Sequence, residues 1–236
     1  MDKNDIIIDS IRSNNKNIYN DKINRIRISF KHLLLSMVLL ITANIIRYVD
    51  SGKFKFKIDN VNFPVLSLIA KTIIVIALIF QLVSSIRLIK NRKEFIASTA
   101  LIVYYLGLSY IVNMFSIMVL FALSYSPNLP NIAMFHRMYS LIMFFANIIF
   151  IIIKLLKYIF INRGLKNITN IDKTKKMLNA NNIIIIVLLS LSVLLYIFNS
   201  IYPFGSYKLL SLLINLYVFI SFIFILGRMR REYRVY

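Results

Sequence analysis

The sequence predicts an all-α fold: a polytopic integral membrane protein with six transmembrane helices in one bundle and both termini in the cytoplasm. Three observations predict it. Of 236 residues, 59% are hydrophobic and only 16% charged, against about 45–50% and about 25% in soluble chains. Six runs reach the roughly 20 apolar residues needed to cross about 30 Å of hydrocarbon. The 29 Lys+Arg, against nine Asp+Glu, sit between those runs and are dense on alternate connections, as the positive-inside rule requires.

Residues 1–28 form a basic arm. Ile7, Ile11, Ile18, Ile23, Ile26 and Phe30 recur at roughly helical spacing, so the arm suits an amphipathic helix on the inner leaflet. Asn14-Asn15-Lys16-Asn17 is poor helix material and favours a solvated tail instead. The first span, 29–49, reads as an uncleaved signal anchor, because Thr42-Ala43-Asn44 offers no small-x-small cleavage site. The second span, 63–86, is interrupted only by Lys71. The third, 95–125, is free of charge and long enough to tilt. The fourth, 138–161, has Lys154 and Lys157 near its end, where they count with the basic loop that follows. The fifth covers 183–202 and the sixth 209–227, closing a transmembrane domain of 29–227. A basic tail, 228–236, completes the chain. The third and fifth connections carry one cation each, Arg137 and Lys208, and so lie outside. The first connection, with Arg47, Lys53, Lys55 and Lys57, is the exception to the rule.

Ile, Asn, Lys, Phe and Tyr have AT-rich codons and together dominate the composition, which points to a low-GC bacterium and its cytoplasmic membrane. Much of the Asn and Lys then reflects codon usage rather than chemistry. The two three-helix halves share no motif, so an inverted-repeat carrier gains no support.

The chemistry of catalysis is largely missing. There is no Cys, which excludes disulfides, thiolate metal sites and a catalytic thiol. None of the acids falls inside a span, which removes the buried carboxylate of most coupled carriers. His32 and His136 lie towards opposite faces and cannot build a zinc site. Gly107-Leu108-Ser109 lacks the following Gly of an intramembrane serine nucleophile, and no phosphate-cradling Gly-rich loop exists. The expectation is a non-enzyme without cofactor or metal. Gly107 and Gly227 are the glycines placed within or ending a span. No G-x-x-x-G pair exists, so helix contacts fall to Ser, Ala and side-chain packing.

Lys71 is the sharpest candidate site, since an ionisable residue at membrane depth is a functional hypothesis by default. Ser67 shares its helix face, with Gln81 and Ser85 further down. Snorkelling to the outer headgroups is the leading account, ahead of a hydrogen bond within the bundle and of a ligand role. The third span carries Ser98, Tyr105, Ser109, Asn113 and Ser116 as a stripe. The fifth carries Ser192, Tyr196 and Asn199, and the sixth Ser211 and Asn215. These stripes are expected to face one another as helix glue, with a polar passage as the alternative. In the outer loop, Lys53-Phe54-Lys55-Phe56-Lys57 alternates cation and ring. An extended strand would separate ammonium groups from rings, as in a membrane-surface anchor or an interface for a partner strand. The basic clusters Lys173-Thr174-Lys175-Lys176 and Arg228-Met229-Arg230-Arg231 adjoin spans. Anionic lipid headgroups explain them better than nucleic acid does.

The sequence thus points to a non-enzymatic protein of the bacterial cytoplasmic membrane that binds another membrane component. It would serve as an accessory subunit or as immunity against a membrane-active toxin. The alternative is a small transporter or channel subunit with a polar path around Lys71.

Overall fold

Long apolar runs with few breakers give long helices, and the chain consists almost entirely of them. The computed structural model describes residues 3–49, 55–58, 61–125, 132–203 and 205–233. The elements in order are α1 (Lys3–Val49), β1 (Lys55–Ile58), β2 (Val61–Pro64), α2 (Val65–Ile89), α3 (Glu94–Tyr125), α4 (Ile132–Ile168), α5 (Asp172–Ile201) and α6 (Tyr207–Glu232). Each helix contains a stretch long and apolar enough to cross a membrane, from Tyr19–Val49 in α1 to Tyr207–Glu232 in α6. The architecture is compatible with a multi-pass membrane protein.

Four features depart from expectation. A two-stranded antiparallel hairpin of β1 and β2 joins α1 to α2, with Phe56 opposite Phe63 and Lys57 opposite Asn62. Alternation of β-favouring Phe and Ile with Lys fits a short ladder, and Pro64, which has no N–H to donate, sits at its end. Secondly, α1 continues without a break across residues 28 and 29. Ile23, Ile26 and Phe30, assigned to an interfacial arm, are buried in the bundle. Thirdly, α4 runs on to Ile168, so Lys154 and Lys157, placed near the end of the span and counted with the loop after it, lie about four and about three turns before the helix ends. Fourthly, Gly164 therefore lies inside a spanning helix. A Cβ there would come within 2.5 Å of the Phe95 ring, whereas Gly107 and Gly227 face open space. Gly164 is the glycine that lets two helices approach.

Each helix packs on the next in sequence, and α6 returns to pack on α1. This makes a ring whose termini end holds the α2–α3 and α4–α5 turns, and whose hairpin end holds β1 and β2. The largest buried side chains gather towards the termini end: Phe30, Leu33, Leu88, Phe95, Leu165, Phe222 and Leu226. Across the ring, the Tyr158 ring of α4 reaches Phe222 of α6 at 5.2 Å and Phe219 at 6.1 Å. Towards the hairpin end burial thins out. Among the described residues, Ala146 is the one buried residue between Arg137 and Leu156, and α5 has none from Ser190 to Ile201.

Polar bonds fasten the termini end. Glu232 accepts hydrogen bonds from Thr169 Oγ1 (3.0 Å) and from Thr174 Oγ1, and pairs with Arg228 at 3.7 Å. Tyr233 Oη donates to the Ile168 carbonyl (2.8 Å), while Arg27 donates to the Tyr233 carbonyl (2.8 Å). Arg92 Nε donates to the carbonyl of Asn167, whose side-chain amide donates to Glu94. The turns and both terminal helices are thereby tied together. At the far end α5 stops at Ile201, with Tyr202 extended before Pro203, because a residue preceding proline is pushed out of the helical region.

Candidate functional site

The candidate residues of the sequence do not form one site. Lys71 lies six residues into α2, about 9 Å along the helix, and is exposed. Its Nζ donates to Asn113 Oδ1 of α3 at 3.1 Å, and Asn113 Nδ2 donates to Ser109 Oγ at 3.5 Å. The bond to the neighbouring helix is the second of the accounts that the sequence left open for Lys71. Ser67 is half-buried one turn away and makes none of these bonds. Lys55, Phe56 and Lys57 lie on β1; Lys53 and Phe54 lie outside the described residues.

The polar stripes of α3, α5 and α6 make contacts on α4 and α2, and Tyr196 of α5 also meets Tyr207 of α6 at 6.4 Å. Tyr105 packs its edge on Phe150 of α4 at 5.1 Å. Tyr139 Oη of α4 donates to Ser116 at 3.3 Å, and Asn147 Nδ2 of α4 donates to Tyr196 Oη at 3.0 Å. Asn199 is half-buried one turn beyond Tyr196. Ser98 turns the other way and donates to Ser85 of α2 at 3.3 Å. The reason is topological: in a ring, α3 and α5 both flank α4.

The ring interior holds the cluster that sequence reasoning missed. Lys157, only 2% exposed, lies eleven residues from the termini end of α4, about 16 Å along its axis. Its Nζ stands 4.5 Å from the centre of the Tyr158 ring and 5.7 Å from that of Tyr105. Lys154, one turn closer to the hairpin end, donates to Asn215 Oδ1 of α6 and sits 5.3 Å from the Phe219 ring. Arg47, in the last turn of α1, makes its charge felt at Tyr105, Lys154 and Tyr207, on three different helices. Arg47 itself is exposed. Gln81 of α2 is wholly buried beside the Tyr158 hydroxyl. Neither its amide nitrogen nor its oxygen has a partner in hydrogen-bond geometry.

Charge makes this cluster unusual. Residues three apart on a helix have side chains about 5–6 Å apart. Lys154 and Lys157 therefore lie on one face of α4. No acid of the sequence falls in the middle of a span to offset them. Three cation–π contacts, each worth about 0.5–2 kcal/mol, and the Asn215 amide oxygen surround the pair instead. The signal available in the sequence was Lys154-Leu155-Leu156-Lys157 itself: spacing of three puts both cations on one helix face, which is unhelpful to a loop and meaningful inside a span.

Elsewhere, Arg87 Nη1 lies 3.4 Å from His32 Nδ1. Among the described residues no group of His, Cys and acids is placed to hold a metal. At the termini end, Lys22 and Arg92 line a cleft of about 360 Å³ together with Tyr19, Asn91, Asn170 and Tyr233. No protein-family model, curated protein or solved structure matches the chain.

Proposed function

We propose that the chain is a non-enzymatic, multi-pass protein of the bacterial cytoplasmic membrane, with both termini in the cytoplasm, that acts by binding another membrane component. An accessory subunit or an immunity protein against a membrane-active toxin fits this role. The observation that carries the reading is the Lys71–Asn113–Ser109 chain on the outer surface of α2 and α3. Hydrocarbon offers an ammonium nothing at that depth, and one amide oxygen satisfies one of its three N–H donors. An acid or carbonyl on a neighbouring membrane protein supplies the rest. Basic residues at the termini end, including the cleft of Lys22 and Arg92, suit anionic headgroups of the inner leaflet.

A photo-reactive cross-linker at Leu68, which is 64% exposed one turn from Lys71, tests this in native membranes. The wild-type background should give one discrete cross-linked membrane protein, and Lys71→Met should abolish it without lowering the yield of folded protein. A cross-link unchanged by Lys71→Met removes Lys71 from the interface.

The second reading, a small transporter or channel subunit, is favoured by one observation: cations line the ring interior around Lys154 rather than around Lys71. The packed apolar residues at the termini end oppose a continuous path. Proteoliposome flux abolished by Lys154→Met would support it.

A further inference from the structure

We propose that the groove between α5 and α6 is a binding site for an anionic glycerophospholipid of the inner leaflet, with an ester carbonyl on Asn181 and the phosphate at the basic rim around Arg228. The site rests on the membrane-spanning reading above but not on docking through Lys71, which lies on other helices. The groove has a volume of about 410 Å³, within the roughly 300–1,000 Å³ of ligand sites. Met177, Ala180 and Ile184 of α5 and Ile220 and Phe224 of α6 line it. It opens outwards, for Phe224 is 67% and Ile220 55% exposed. In this apolar wall stands Asn181, only 4% exposed. Its amide nitrogen is buried and has no hydrogen-bond acceptor among the described residues. A half-turn of the amide exchanges nitrogen and oxygen without changing the shape of the side chain, so the donor can be presented to the groove. Buried donors in native proteins nearly always have acceptors. A water would need about three polar partners, and the neighbouring Ser221 hydroxyl already donates to the Val218 carbonyl at 2.8 Å. The amide therefore points to an occupant that is largely apolar and carries an acceptor.

Position selects the class of that occupant. Asn181 lies nine residues into α5, about 14 Å from the termini end of the helix. One turn nearer that end, Arg228 Nη1 stands 3.4 Å from Met177 Sδ at the edge of the groove. Helical periodicity carries the groove faces on to Lys173 and Lys176 of α5 and to Arg231 of α6. All three are exposed, and among the described residues none is in an ion pair. The acids at this rim are spent, Asp172 on Lys175 at 3.6 Å and Glu232 on Arg228 at 3.7 Å. A glycerophospholipid presents its groups in the matching order: an anion, ester carbonyls one glycerol away, then acyl chain. Those carbonyls have no partner of their own, whereas the backbone carbonyls of a spanning helix are bonded within that helix. A lipid thus answers Asn181 better than a partner helix does. The surplus of cations favours an anionic headgroup over a zwitterionic one. With Nε on Glu232 and one Nη on sulfur, the Arg228 guanidinium keeps further N–H donors for the phosphate.

The experiment uses the full-length chain in a neutral maltoside detergent, with thermal unfolding followed as dioleoyl phosphatidylglycerol is added. Its diether analogue, which lacks the ester carbonyls, and dioleoyl phosphatidylcholine are titrated separately. Tm should rise in a saturable manner with the diester anionic lipid, as a ligand that binds only the folded state requires. The diether form should bind about tenfold more weakly, the loss of one hydrogen bond to a buried donor. Phosphatidylcholine should also bind more weakly than phosphatidylglycerol. Asn181→Leu removes an unpartnered amide, so without lipid it should be at least as stable as the wild type, and it should lose the preference for ester over ether. Ala180→Phe fills the groove and should abolish the saturable part. Ile186→Phe, on the opposite side of α5 and 44% exposed, should preserve it. A wild-type Tm indifferent to the diester lipid would overturn the proposal, as would equal affinity for the diether form or for phosphatidylcholine. So would a saturable rise that survives both Asn181→Leu and Ala180→Phe. Light scattering on the same samples covers the rival occupant: a dimer that Ala180→Phe dissociates assigns the groove to a second copy and overturns the lipid site. Any of these failures leaves the cross-link at Leu68 untouched, so the two readings fall separately.

Discussion

At the termini end, Glu232 gathers Thr169, Thr174 and Arg228 around one carboxylate, and Tyr233 links α1 to the α4–α5 turn. In the interior towards the hairpin end, Lys154 and Lys157 meet rings and an amide oxygen, and among the described residues neither pairs with a carboxylate. The first region resembles a conventional protein core, with apolar packing beneath a capped polar surface. The second is less closely packed and holds two lysines with rings and an amide for neighbours. Close packing, and with it the expected stability, is concentrated at the termini end. Low local stability is the usual condition for elements that must accept a ligand or partner.

The contrast can be broken by side-chain truncation. Within a membrane the transfer of apolar surface drives little, so the expected loss comes from cavities and missing contacts. Phe222→Ala, at a fully buried position, should cost on the order of 3 kcal/mol. Phe198→Ala, at a residue 65% exposed near the hairpin end, should cost less than about 0.5 kcal/mol. Reversible unfolding in mixed micelles measures both, and equal losses would erase the distinction between the halves.

Gly164 sharpens the same comparison. Gly164→Ala drives a methyl into the Phe95 ring and should destabilise by about 1–3 kcal/mol. Pairing it with Phe95→Leu should recover a measurable part of the loss, read as a coupling energy in a double-mutant cycle. Gly107→Ala, facing open space, should be neutral or slightly stabilising, because alanine favours the helix by roughly 1 kcal/mol.

Glu232→Gln keeps the shape of the side chain but removes its charge. With Arg228 and two hydroxyls deprived of a carboxylate, a loss of about 1–2 kcal/mol is expected in the same unfolding assay. The smallest effect concerns Tyr233, just beyond the α6 span. Burial first, then the neighbouring Glu232 charge and Tyr19, push its phenol up to about 12. A pKa raised in the folded state means a contribution fully present below the ordinary tyrosine value near 10 and lost as pH rises through about 12. Ionised, Tyr233 can no longer donate to Ile168. Stability of the wild type should therefore fall more between these values than that of Tyr233→Phe, in detergent-solubilised melts taken across that range.

How much of this was legible in the sequence follows from what each feature depends on. Six apolar runs of sufficient length give six helices whatever their partners, so the spans are visible in composition alone. The extended backbone at Lys55–Ile58 is visible in its alternation of cation and apolar residue, whereas its pairing with Val61–Pro64 is not. Helix ends are less so. α4 outlasts its apolar run because Asn162, Arg163, Lys166 and Asn167 remain compatible with a helix once Gly164 packs on Phe95 and Asn162 donates to Asn182 (2.8 Å). Those are tertiary contacts, invisible to a hydropathy window. Lys154 and Lys157 lie inside the expected span 138–161, but counting them with the basic loop that follows passed over the interior cluster. The partner of Lys71 was likewise beyond reach, since Asn113 is 42 positions away and its orientation depends on how α2 and α3 pack.

The central claim is that α4 carries Lys157 inside the ring rather than into a solvated loop. A chain without cysteine makes the direct test clean: single Lys157→Cys and Lys173→Cys variants, reconstituted, permeabilised and exposed to a charged, membrane-impermeant maleimide. The account predicts rapid labelling at 173 and none at 157 until the protein is unfolded. Equal labelling of the two folded variants would contradict it.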